Sequence, residues 1–150
     1  MLKCIGIIVN LNKDITLEVT RLLLELLEKR GIEPVLFGDV AEKLERPVIS
    51  RSTFFNRSSA IFVVGGDGTM LGVIAEASIK GKPVMGINMG RLGFLSEIEI
   101  AEINDALDII AAGNYKIDER MMLECQVHGK KLYALNDTYV HRAVYERIIR

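Results

Sequence analysis

The chain has 150 residues, 49% hydrophobic and 26% charged, proportions ordinary for a soluble globular domain with enough apolar material for a real core. Its 19 basic and 20 acidic residues are mixed along the sequence and leave a net charge of -1, so no basic stripe offers a track for a nucleic-acid backbone. The longest apolar runs fall far short of the roughly 20 residues that span a bilayer, and the two cysteines, Cys4 and Cys125, make neither a disulfide framework nor a metal-ligand spacing.

Met1-Leu2-Lys3-Cys4-Ile5-Gly6 runs directly into a strand without a signal-peptide layout, and a cytoplasmic location is the expectation. Cys4 to Asn10 is an apolar, β-branched run of the kind buried on both faces of a parallel sheet. Asp14 is placed to cap a helix in which Val19, Leu22, Leu23, Leu26 and Leu27 recur at helical spacing, and Gly31 stops it. Pro34 to Phe37 reads as a second strand. Gly38 to Ser59 lacks a clear period, and Pro47 with the polar run Ser50-Arg51-Ser52-Thr53 predicts a loop holding at most one short helix. Ala60 to Val64 is a third buried strand. A helix with Met70, Ile74 and Ala77 on one face follows, ended by Gly81, and Pro83 to Asn88 gives a fourth strand.

Strands alternating with helices imply right-handed parallel crossovers. Residues 1–100 therefore read as a three-layer α/β/α domain with a Rossmann-like open parallel sheet. Beyond it, Ile103, Leu107 and Ile110 mark a helix that Gly113 ends. Two strands, Met121 to His128 and Lys131 to His141, flank a turn in which Gly129 can take a positive φ. A lone hairpin does not stand by itself. Residues 101–150 are thus expected to be a linking helix and the start of a β-rich second domain, cut off in mid-pattern at Ile148-Ile149-Arg150. Both cysteines fall in strands and are expected to be reduced core thiols.

The strongest chemical signal is Gly65-Gly66-Asp67-Gly68-Thr69, between a buried strand and a helix start. In open parallel sheets ligands bind beyond the carboxyl ends of the strands. Three glycines remove the Cβ atoms that would keep a ligand from the backbone, and the N–H groups of the helix start face an arriving anion. The segment is not a P-loop, which needs a Lys followed by Ser or Thr, and the third glycine of a dinucleotide fingerprint would arrive one position late, at Gly72. An acid repels phosphate, so Asp67 needs a use: accepting a proton from an attacking hydroxyl, or holding a magnesium ion that bridges phosphates. The plainer reading makes Asp67 a helix cap, although capping asks for no flanking glycines.

Gly65-Gly66-Asp67-Gly68-Thr69 resembles the signature shared by NAD kinases, diacylglycerol-type lipid kinases and, with a serine last, phosphofructokinases. Pro83-Val84-Met85-Gly86-Ile87-Asn88-Met89-Gly90-Arg91-Leu92-Gly93-Phe94-Leu95 resembles the corresponding segment of NAD kinases specifically, as do Glu119-Arg120-Met121-Met122-Leu123 and Ala134-Leu135-Asn136-Asp137. The last block matches an Asn-Glu or Asn-Asp pair that contacts ribose in that family. The resemblance covers nearly the whole chain and is weakest over Gly38 to Ser59.

The resemblance implies transfer of the γ-phosphoryl group of ATP, or of polyphosphate, to the adenosine-ribose 2′-hydroxyl of NAD, giving NADP. Asp67 would be the proton acceptor, with Gly65, Gly66, Gly68 and Thr69 cradling phosphates and their magnesium. Gly90 and Gly93 would let the backbone pass close to a ligand, Phe94 could offer a flat surface to a base or be a core aromatic, and Asn88 could be a contact or a turn residue. Asn136 and Asp137, read as polar interruptions of an apolar strand, would fix the riboses; Arg147 would be a further substrate contact or a solvated surface residue. A bulge or a strand end would also explain the polar pair. His128 reads as a turn residue, and no metal site is expected from His128 and His141. The competing readings are a lipid kinase domain, which would need a membrane-facing surface, and a non-catalytic dinucleotide sensor, which gains nothing from an acid beside phosphate. No membrane partner is expected, and a homo-oligomer is expected at full length.

Overall fold

A computed structural model describes residues 2–11, 15–89, 93, 95, 98–138, 140–141 and 148–149. The run Cys4–Val9 forms β1, followed by α1 (Ile15–Lys29), β2 (Glu33–Val35), α2 (Asp39–Lys43), α3 (Arg51–Arg57), β3 (Ala60–Gly65), α4 (Asp67–Ile79), β4 (Val84–Asn88) and β5 (Ile98–Glu99). A 3-10 turn, Ile100–Glu102, leads into α5 (Ile103–Ala111). The five strands make one parallel sheet in the order β2-β1-β3-β4-β5. Chain order therefore reverses direction between β1 and β3, at whose carboxyl ends an open sheet leaves a crevice. The amide of Asn10 donates to the Val64 carbonyl at 3.0 Å, carrying the pairing to that end of β1.

Period-two alternation assigns the side chains of each strand to two cores. Ile5 and Ile7 of β1, Phe62 and Val64 of β3 and Ile87 of β4 join Val19, Leu23 and Leu27 of α1 and Ile103, Leu107 and Ile110 of α5. On the other side Cys4, Ile61 and Val63 meet Phe54 and Phe55 of α3 and Met70, Val73 and Ala77 of α4. Three layers result. Fully burying a side chain such as Leu23 is worth about 1.5–3 kcal/mol, and these two clusters hold the sheet edge on which the loops sit. The mean burial of β3, inside at all six positions, explains why its sequence shows no alternation.

The structure departs from the sequence reading in several places. Gly38 to Ser59 contains two helices rather than at most one, and Phe37 bridges Ile49 in parallel. The Ser50 side chain accepts from the Thr53 amide at 3.1 Å, capping α3. The second strand covers Glu33–Val35, and a fifth, Ile98–Glu99, extends the sheet. On α4 the buried face is Met70, Val73 and Ala77, with Ile74 half-buried. Asp14 lies outside the described residues; the start of α1 is tied to the end of β1 by Thr16, whose hydroxyl donates to the Asn10 carbonyl at 2.8 Å.

Compact packing divides the chain into residues 1–117 and 118–150. The helix α5, grouped with the hairpin in the sequence reading, packs on α1: Arg30 donates to Asp108 Oδ1 from Nε at 2.8 Å and to the Asn104 carbonyl at 3.2 Å. In the second unit β6 (Leu123–Val127) and β7 (Lys130–Ala134) form an antiparallel pair. Their turn has His128 at φ 48° and Gly129 at φ 75°, the two left-handed residues of a tight hairpin connection. The strand expected to run to His141 stops at Ala134, and Val140–His141 pairs instead with Ile148–Ile149, as β8 and β9. Cys4 is a buried thiol, pushed above its ordinary range first by burial and then by the Glu33 charge. Cys125 is half-buried, not a core thiol. Among the described residues no helix is long and apolar enough to cross a membrane.

Candidate functional site

The sequence places Gly65 as the last residue of β3 and Asp67 as the first of α4, so the glycine–acid segment is the whole connection between them. Register brings Gly65 beside Asn88, the last residue of β4. Asn88 is buried, 4% exposed, which makes it part of the floor of this edge and not a projecting arm.

Each glycine of the loop answers to a different constraint. A Cβ at Gly65 would stand 2.6 Å from Thr69 Oγ1 and 2.9 Å from its Cβ, so this glycine lets the Thr69 side chain fold back over the loop. The Thr69 amide in turn donates to the Gly66 carbonyl at 2.9 Å. Gly66 and Gly68 differ: both are exposed, and among the described residues nothing lies within 4 Å of where their Cβ atoms would be. Gly66 has φ -112°, an ordinary extended value. Neither the backbone nor the packing of this unit demands glycine at 66.

Asp67 sits between them, half-buried. The cap of α4 is Gly66, with no side-chain capping bond, so Asp67 is one residue inside the helix and is not its N-cap. Its Oδ1 accepts a hydrogen bond from the Leu95 amide at 3.2 Å, across from the segment that follows β4. Gly93, in the same segment, comes so close that a Cβ there would lie 2.6 Å from the Asp67 carboxyl carbon. The backbone approach that the sequence reading assigned to a ligand is, at Gly93, an approach to Asp67.

Gly65, Gly66, Asp67, Gly68, Thr69 and Asn88 are thus gathered at one sheet edge, with Leu95 as a contact that the sequence did not suggest. A backbone amide leaves no mark in side-chain pattern. Asn136 and Asp137 belong to the second unit and are exposed beyond the end of β7, so they do not interrupt a strand as expected. Phe94 and Arg147 lie outside the described residues. Among the described residues no three His, Cys, Asp or Glu side chains cluster to hold a metal.

The strand order and the loop at the point where it reverses define an open, doubly wound α/β protein, a class that takes its ligands beyond the carboxyl ends of the strands. Residues 5–115 match the ATP-NAD kinase N-terminal domain, and the chain belongs to that family. It is 38% identical over 152 residues to a NAD kinase of Heliobacterium modesticaldum, covering 97% of this chain and 54% of the relative. A NAD kinase of Caldanaerobacter subterraneus is 36% identical over 156 residues, covering 99% and 55%. The chain therefore spans about half the length of the curated relatives it matches. In fold it is similar to the crystal structure of yeast NADH kinase complexed with NADH, with a TM-score of 0.74, 21% identity and coverage of 89% of this chain and 46% of that one.

Proposed function

We propose that this chain is the phosphoryl-transfer half of a NAD kinase, in which Asp67 aligns an acceptor hydroxyl with a phosphate chain resting on Gly65 to Thr69. The observation that carries the reading is the pair Gly66 and Gly68 about a half-buried acid. Gly66 is the cap of α4, where glycine is favoured over alanine. Inside a helix, however, glycine costs about 1 kcal/mol against alanine, and the open space among the described residues at Gly68 offers no internal reason to bear it. Close approach of a ligand to the backbone supplies one. The N–H groups of the first turn of α4 and the positive end of its dipole then favour an anion such as the phosphates of ATP or of polyphosphate.

The acceptor is the adenosine-ribose 2′-hydroxyl of NAD, and the product is NADP. Family membership and the names of the relatives support this choice over a lipid alcohol. Phosphoryl transfer has a loose transition state, so holding the hydroxyl in line matters more than base strength. Asp67 orients the hydroxyl and takes its proton as the new O–P bond forms and the bond from the γ-phosphorus to the leaving ADP breaks. Asn136 and Asp137 hold the ribose, with Phe94 and Arg147 as further contacts. A single carboxylate beside a phosphate cradle suits magnesium that arrives on the nucleotide, where it neutralises phosphate charge.

The test is to supply the full-length protein with NAD, ATP and magnesium and to locate the new phosphate by phosphorus NMR. A monoester at the 2′ position of the adenosine ribose supports the reading. A folded protein that binds NAD and leaves it unmodified would shift the assignment to a dinucleotide sensor.

A further inference from the structure

We propose that Gly93 and Leu95 clasp the Asp67 carboxylate, with Gly93 as a positioning residue whose missing Cβ gives that carboxylate its place. The inference rests on the reading of Asp67 as the orienting acid. The terminal torsion of an aspartate is broad, so the side chain itself does not fix the plane of its oxygens. Two contacts from one segment do. The Leu95 amide donates to Oδ1 at 3.2 Å, and two residues earlier the Gly93 backbone forms a wall against the same carboxylate.

The wall requires glycine for reasons of space alone. The φ of Gly93 lies outside the left-handed region, so alanine would suit the backbone. Its Cβ, however, would stand 2.6 Å from the carboxyl carbon of Asp67 and 2.7 Å from Oδ2, and in contact with Oδ1. All three nearest atoms belong to Asp67. Ordinary carbon contacts are about 3.5–4.0 Å, so an alanine there displaces the carboxylate by about an ångström. The Leu95 side chain packs against the core cluster to which Met70 and Val73 of α4 also belong.

The experiment is a double-mutant cycle in the full-length protein with Gly93→Ala, Asp67→Ala and the two combined, reading kcat, KM for NAD and for ATP, and melting temperature. Gly93→Ala alone is expected to lower kcat on the order of 100-fold, the effect of misplacing a reacting group by an ångström, with both KM values unchanged. In the Asp67→Ala background the three atoms nearest the new methyl are gone, so Gly93→Ala should neither lower kcat further nor lower the melting temperature by as much as in the parent. A raised KM with kcat preserved would assign Gly93 to ligand approach and overturn the clasp. So would an equal drop in melting temperature in both backgrounds. Should Asp67→Ala leave kcat intact, the catalytic reading of Asp67 fails, and the melting temperatures still decide whether Gly93 and Asp67 are in contact.

Discussion

Glycine has three distinct meanings around Asp67. At position 65 it clears room for Thr69, at 93 it clears room for the carboxylate, and at 66 and 68 it clears room for no atom of the described residues. In all three cases space, not a left-handed φ, is what the residue supplies. Charge at single residues is most legible on the hairpin. Tyr133 Oη donates to Glu124 Oε2 at 2.7 Å and Lys131 Nζ at 3.1 Å. The tyrosine hydroxyl first, and the lysine second, hold the Glu124 carboxyl below its ordinary range, while Lys131 and Tyr133 are both raised by their bond to it. The sign follows from linkage: with Glu124 depressed, this trio stabilises the hairpin above the unfolded carboxylate range and loses that effect as pH falls through the folded midpoint. With Lys131 raised, its share is present below the ordinary lysine range and is lost as pH rises through the folded midpoint. An NMR titration of the Glu124 carboxyl should show its midpoint move up in Tyr133→Phe, and by more than in Lys131→Met. An unmoved midpoint in Tyr133→Phe would show that the hydroxyl is not the main partner.

At the scale of elements, the long periodic segments were readable and the short ones were not. The helices α1, α4 and α5 and the strands β1, β3 and β4 carry patterns long enough to identify their period, and their ends match Gly31, Gly81 and Gly113, all at positive φ. The helices α2 and α3, with 5 and 7 residues, are too short to show a period, and Pro47 between them reads as loop. What makes α3 a helix is tertiary: Phe54 and Phe55 are wholly buried against the sheet. The glycine–acid loop was legible because glycine and aspartate are visible in sequence. The amide of Leu95 was not, and Asn136 and Asp137 read as strand because the apolar pattern runs on past Ala134, where pairing ends. The packing of α3 on β1 offers a test. A Cβ at Gly6 would lie 2.6 Å from the Phe54 ring and in contact with Ser58 Oγ. Gly6→Ala should therefore destabilise the fold by about 1–3 kcal/mol, the usual cost of overpacking, as measured by urea unfolding. A neutral result would mean that α3 can slide off β1.

For the molecule as a whole, the sheet order places the end of β3 at the reversal point, the first turn of α4 supplies N–H groups there, and the Leu95 amide bonds the acid between them. That acid is the centre of the proposed chemistry, and the most direct test exchanges its charge for an amide of the same size. Initial rates of NADP formation from NAD, ATP and magnesium should be compared for the full-length protein and its Asp67→Asn variant, with NAD binding measured on both. The expected result is a rate lower by roughly 100-fold or more, the scale of losing an oriented proton acceptor, with NAD binding retained. A variant that forms NADP as fast as the parent would contradict the account.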